Sequence, residues 1–202
     1  NGEVLSFPLL KLPELISNIQ KICNAYKVKI DSGTARYFVE TCGTNMQDLI
    51  NEIRKLIEYV GKDGVITRNE IELLAIKQID SIIFDLTDNL GKRDTKKAIE
   101  VLNNLIYEKE PIQKILITLY NHFKKLYIVK IAEKYRKDLA TSMKLKPNQL
   151  FLTSKYKMQA SYFSQNEIEQ ILEEFINLDA NYKVGLIDIN VGLEAILCRY
   201  CS

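Results

Sequence analysis

Apolar residues recur along most of this chain with the 3.6-residue period of an amphipathic helix, and short polar or glycine-bearing interruptions cut the pattern into pieces. Pro13 suits the first turn of a helix, where its missing N–H would have had no partner, and Leu15, Ile16, Ile19 and Ile22 form that helix's apolar stripe. Asp31 or Ser32 caps a second helix carrying Ala35, Phe38 and Val39 and ending at Gly43. Thr44 or Asn45 caps a third, whose Met46, Leu49, Ile50, Ile53, Leu56, Ile57 and Val60 keep the period up to Gly61. Residues 62–64 (KDG) are a turn, and Val65-Ile66 is at most a stub of strand. Thr67 with Glu70 three residues later is a capping box, in which hydroxyl and carboxylate each satisfy an orphan amide, and it opens a short helix to about Ala75. These pieces predict a compact unit of three to four helices with its boundary near residues 76–80.

A second series follows. Ile82, Ile83, Leu86 and Leu90 mark a helix stopped at Gly91, and Asp94 or Thr95 starts the next, with Ala98, Val101, Leu102 and Leu105 on one face. Glu110-Pro111 opens the longest helix, lined by Ile112, Ile115, Leu116, Leu119, Phe123, Leu126 and Tyr127. Burying each such side chain is worth about 1.5–3 kcal/mol, so this helix is expected at the centre of a core. Residues 138–163, interrupted by Pro147, read as short helices. Ser164 and Glu167 make a second capping box before a helix carrying Ile168, Ile171, Leu172, Phe175 and Ile176, which Gly185 breaks. Asp188 or Asn190 begins a last helix. The predicted fold is all-α, in two helical domains, residues 1–76 and 77–202. Residues 3–7 (EVLSF) read as a short extended piece before Pro8, and Asn1 in place of an initiator Met suggests a fragment or processed product.

Composition agrees with a soluble helical chain: 47% hydrophobic residues supply cores, and Gly and Pro are too few for a sandwich of tight turns. No apolar run approaches the roughly 20 residues of a membrane span, and no secretory leader is visible, so a cytoplasmic protein without membrane contact is expected. Cys23, Cys42, Cys198 and Cys201 read as reduced, mostly buried thiols. The pair Cys198/Cys201 lacks the second pair of ligands that a structural zinc site needs, so no metal is expected. The net charge of +2 hides an asymmetry: residues 124–157 carry net +8 and residues 158–202 net −5. One part of the chain could face a polyanion or an acidic partner.

Sites for bond-making chemistry are missing from the pattern. Gly61-Lys62-Asp63 and Gly91-Lys92-Arg93 lack the upstream glycine and the hydroxyl of a phosphate-binding loop and read as turn glycines at helix ends. His122, the only histidine, lies beside the apolar stripe of the longest helix with no nucleophile placed near it, and reads as a packed or rim residue. Glu173 and Glu174 are adjacent on a helix, about 100° apart, and read as a solvated face. No catalytic residue and no cofactor are expected. The basic stretch is the strongest feature. Lys124, Lys125, Lys130, Lys134, Arg136 and Lys137, then Lys144, Lys146, Lys155 and Lys157, are interleaved with Tyr156, Tyr162 and Phe163. Such residues can meet phosphates and stack on bases, and equally can form a plain solvated face.

Three stretches carry a family resemblance. Residues 43–56 (GTNMQDLINEIRKL), closing on Glu52-Ile53-Arg54-Lys55-Leu56, resemble the lid helix of AAA+ relatives. Residues 83–94 (IFDLTDNLGKRD), then 97–102 (KAIEVL), then Glu110-Pro111-Ile112 are similar to the opening of the collar domain in bacterial DNA polymerase III delta subunits. Phe163-Ser164, Leu178-Asp179, Lys183-Val184-Gly185 and Leu193-Glu194 resemble that family's ending. The resemblance implies an AAA+-type helical lid at 1–76, after a residual linker at 1–8, and a helical clamp-loader collar, an oligomerisation domain, at 77–202. It implies a non-ATPase subunit of the clamp loader. Its partners would be other clamp-loader subunits through the collar, the sliding clamp through a domain preceding this chain, and primed DNA in the assembled complex. Lys124, Lys125, Lys130, Tyr182 and Lys183 are the candidate DNA-facing residues under this reading. The alternative is a stand-alone helical nucleic-acid-binding regulator using residues 124–157.

Overall fold

The structure is a computed structural model that describes residues 9–200. The extended piece expected at 3–7, Pro8 and Cys201 lie outside these residues. The chain divides into two compact units: the first is the described part up to Ser81 together with Leu145–Phe151, the second Ile82–Lys144 and the chain from Leu152. The division therefore falls a few residues after the boundary read from periodicity, and the first unit also takes a segment from far along the chain.

The first unit contains α1 (Leu12–Ala25), β1 (Lys29–Ile30), α2 (Ser32–Cys42), α3 (Met46–Val60), β2 (Val65–Ile66) and α4 (Arg68–Leu74). Local chemistry starts and stops these elements. The Asp31 carboxylate accepts from Thr34 N–H (3.0 Å), and Asn45 Oδ1 accepts from Gln47 and Asp48 N–H (2.9 and 3.3 Å). The Thr67–Glu70 capping box forms as expected. Gly43 and Gly61 end α2 and α3 with φ of 86° and 70°, a region open mainly to glycine. Leu15, Ile19, Phe38, Val39, Leu49, Ile53, Leu56 and Ile71 fill the core. The Val65-Ile66 stub is a real strand, paired in parallel with Lys29–Ile30. Two residues are too short for alternation to mark, so β1 leaves no signal in the sequence. Cys23 and Cys42 are buried free thiols, and loss of hydration pushes them up to about 11 and about 12. Cys198 is exposed.

The second unit holds α6 (Thr95–Tyr107), α7 (Ile112–Lys134), α8 (Leu139–Ser142), α9 (Leu152–Ser161), α10 (Gln165–Lys183) and α11 (Ile189–Tyr200). It also holds most of α5 (Ile79–Gly91), which crosses the division. Helix α7 is central, packed by α8, α9, α10 and α11. Phe123 lies at its heart, edge-on to Phe163 (5.5 Å) and Phe175 (5.8 Å). Helix α5 stops at Gly91 as expected, but the glycine serves packing rather than a left-handed turn: a Cβ there would sit 2.2 Å from the Tyr162 ring. The turn is made two residues later, by Arg93 at φ 58°.

Candidate functional site

Helix α7 carries Lys124, Lys125 and Lys130, and its geometry separates them. At 100° per residue they point about 100° to 140° apart around the axis. The helix is buried by neighbours on much of its circumference, so its lysines emerge where the packing leaves room. Lys124 is exposed, while Lys125 and Lys130 are half-buried. Lys125 Nζ donates to the Tyr156 hydroxyl (3.1 Å) and lies 5.1 Å from that ring's centre. Further along the basic stretch, Lys134 sits over Tyr135 and Lys157 pairs with Glu133 (3.2 Å).

Tyr182 and Lys183 lie elsewhere, at the end of α10. Gln113 Nε2, in the first turn of α7, donates to the Tyr182 hydroxyl (2.9 Å), and Lys183 pairs with Asp179 (2.5 Å). Lys124 is eleven residues further along α7 than Gln113, roughly 16 Å along the axis at 1.5 Å per residue. The five candidate residues thus form two groups on the second unit, three at the middle of α7 and two at its start.

The Tyr182 end has a feature that periodicity did not single out. Val184, Leu186, Ile187 and Val191 are 68%, 75%, 38% and 61% exposed. They surround the link from α10 to α11, where Gly185 (φ 75°) reverses the chain and Leu186 N–H is held by Asn181 O (2.9 Å). Asp188 Oδ1 then caps α11 through the Asn190 and Val191 amides (2.9 and 3.1 Å). Backbone hydrogen bonds thus hold a run of apolar side chains out in water. Such a cluster marks an interaction surface more readily than singly scattered apolar residues do. Its trace in the sequence is the string VGLIDINV (184–191), dense in apolar residues without a helical period.

His122 is buried and bridged to two other helices. Gln159 Nε2 donates to Phe84 O (2.8 Å) and Asp88 Oδ1 (2.6 Å), which turns its Oε1 to accept from His122 Nε2–H (2.7 Å). Phe84 packs edge-on to the imidazole (4.6 Å) and Tyr156 lies 5.1 Å away. Desolvation holds the imidazole down to about 3, so it is neutral at pH 7. This is a packed histidine that ties α5, α7 and α9 together. Glu174 also has a structural part, accepting from Arg199 (2.5 Å) and the Tyr200 hydroxyl (2.9 Å), while Glu173 is exposed. Among the described residues no group of three or more His, Cys, Asp or Glu side chains is placed to hold a metal ion. Nor, among them, is any helix long and apolar enough to cross a membrane.

Comparison with known proteins places this architecture. The DNA polymerase III subunit delta of Bacillus subtilis (strain 168) is 25% identical over 173 residues, 84% of this chain and 49% of the relative. The probable DNA polymerase III subunit delta of Aquifex aeolicus (strain VF5) is 27% identical over 166 residues, 80% of this chain and 47% of the relative. The chain thus spans about half the length of these curated relatives. The solved structure of the Bacillus subtilis DNA clamp loader delta protein has the same fold, with a TM-score of 0.81 at 22% identity, over 95% of this chain and 57% of that one. Residues 80–200 match the family described as DNA polymerase III delta subunit, C-terminal domain. With the all-helical second unit matched over almost its whole length, the chain belongs to the DNA polymerase III delta subunit family.

Proposed function

We propose that this chain is the lid and collar portion of a clamp-loader delta subunit, a part that joins subunits and makes no covalent chemistry. In this reading residues 1–76 are the lid and 77–202 the collar, which binds other clamp-loader subunits. A domain preceding the chain would engage the sliding clamp. The observation that carries the reading is the exposed apolar cluster of Val184, Leu186, Ile187 and Val191, on the domain that matches the family. Burying such side chains against a partner returns about 25 cal/mol per Å² of apolar surface removed from water. Charges at the rim would tune partner choice.

Primed DNA would meet the collar only in the assembled complex, with Lys124, Lys125 and Lys130 in one group and Tyr182 and Lys183 in another. Lys124, Lys125 and Lys130 point about 100° to 140° apart around α7, which speaks against the stand-alone nucleic-acid-binding reading of residues 124–157, since that needs its lysines on one surface.

The test is co-elution of this chain with the collar region of the ATP-hydrolysing subunit at micromolar concentration in size exclusion. Co-elution lost in Leu186→Asp/Ile187→Asp supports the assembly reading. Separate elution of the unmodified chain, or co-elution that ignores the double substitution, overturns it. Tight binding of DNA by the chain alone, steeply weakened between low and physiological salt, would favour the regulator instead.

A further inference from the structure

Both connections that carry the chain out of the first unit are fastened to one turn of it. The first is α5, which begins in this unit and continues into the second. Just ahead of it, Gln78 N–H donates to Thr41 O (3.0 Å), and the Gln78 side chain lies on Gly43, where an added Cβ would come within 3.0 Å of its Cγ. Two residues earlier, Ile76 N–H is taken by the Glu52 carboxylate (2.9 Å). The second connection is the Leu145–Phe151 segment, which leaves the second unit, joins the first and returns. Asn148, buried there, donates through Nδ2 to Thr44 Oγ1 (2.8 Å), and Phe151 packs on the first unit's core. Thr41, Gly43 and Thr44, within four residues, hold both exits.

The chemistry of Asn148 indicates what this arrangement is for. Its Oδ1 is buried without a hydrogen-bond partner. A buried amide satisfied on one side only adds little net stability, and an apolar side chain would serve packing as well. What an amide supplies and an apolar side chain does not is a directed bond, which sets the register of the segment against the turn.

We propose that the α2–α3 turn, residues 41–45, is a coupling node: a change in its shape is passed along α5 and the 145–151 segment together, because both are hydrogen-bonded to it. The device belongs to the chain itself and stands whichever partner the collar serves.

Hydrogen exchange of the full chain, read by mass spectrometry, tests this. Thr44→Val keeps the shape of residue 44 and removes the acceptor for Asn148. Its effect should be roughly tenfold faster exchange in 145–151, the scale of one lost hydrogen bond, with several-fold faster exchange also at 76–81. Gly43→Ala presses on Gln78 and strains a φ of 86°, and should in turn loosen 145–151, which it does not touch. Amides of α1 and α3 should stay protected in both variants. If they do not, Asn148→Leu, which keeps the branched shape and removes the donor, replaces them. Effects confined to the segment nearest each substitution would overturn the node and leave two independent local anchors.

Discussion

The two units solve the same problem, a helical core, with different chemistry. The first is an aliphatic core bounded by local devices. Asp31, Asn45 and Thr67 cap helices from within three residues, and Gly43 and Gly61 end them. The second has an aromatic and polar centre assembled from residues far apart in sequence. Gln159 reaches His122 and the Phe84 carbonyl through hydrogen bonds spanning 37 and 75 residues, and Tyr156 packs against both rings. Left-handed residues other than glycine follow helices in both units, Lys27 after α1 and Lys109 and Arg136 after α6 and α7. The difference teaches that a unit can be written mainly in local signals or mainly in long-range ones, and that only the first kind can be read residue by residue.

The largest way to break this contrast is Gln159→Ala, which strands the buried His122 imidazole and takes a donor from the Phe84 carbonyl and from the half-buried Asp88 carboxylate. A loss of about 3–4 kcal/mol is expected in urea unfolding of the second unit, with the first unit's protected amides unchanged. The next effect is in pH. The only histidine belongs to the second unit, and its folded value, about 3, lies below its ordinary 6.5. The unfolded chain therefore takes up a proton first as pH falls. Stability is complete above 6.5, declines by at most about 1.4 kcal/mol per pH unit below it, and stops declining through this group near 3. Between pH 6.5 and 5 the second unit should weaken and the first should not. Unit-resolved hydrogen exchange reads this directly, and His122→Phe should abolish the slope.

Smaller effects sharpen the comparison. Asn45→Ala should cost the first unit about 1 kcal/mol in thermal unfolding, since two amides at the start of α3 lose their acceptor. Lys109→Gly should do the reverse in the second unit. Lys109 sits at φ 61° after α6, where Glu110 N–H returns to Leu105 O (3.1 Å), and a glycine there relieves the clash of a Cβ. A gain of about 0.5–1 kcal/mol is expected in the same measurement.

The candidate sites show where sequence reading stops. The lysines at 124–137 were plain as a charge run, but a run says nothing about direction. At 100° per residue, Lys124, Lys125 and Lys130 leave α7 on different sides. The apolar run at 184–191 was present in the sequence, yet apolar residues beside a glycine look the same whether a neighbour covers them or water does. His122 as a packed residue was legible from its place beside the stripe. Its partner Gln159 was not, because a hydrogen bond across 37 residues leaves no period.

The sequence by itself determined the helices and most of their caps. Each of these follows from interactions within about four residues, where spacing along the chain is distance in space. Only the tertiary structure decided that Leu145–Phe151 completes the first unit, that Gly91 makes room for the Tyr162 ring, and that the candidate DNA-facing residues divide into two groups. Those outcomes depend on which surfaces meet, and hydrophobic burial, being non-directional, does not write its choice of neighbour into any single stretch of chain.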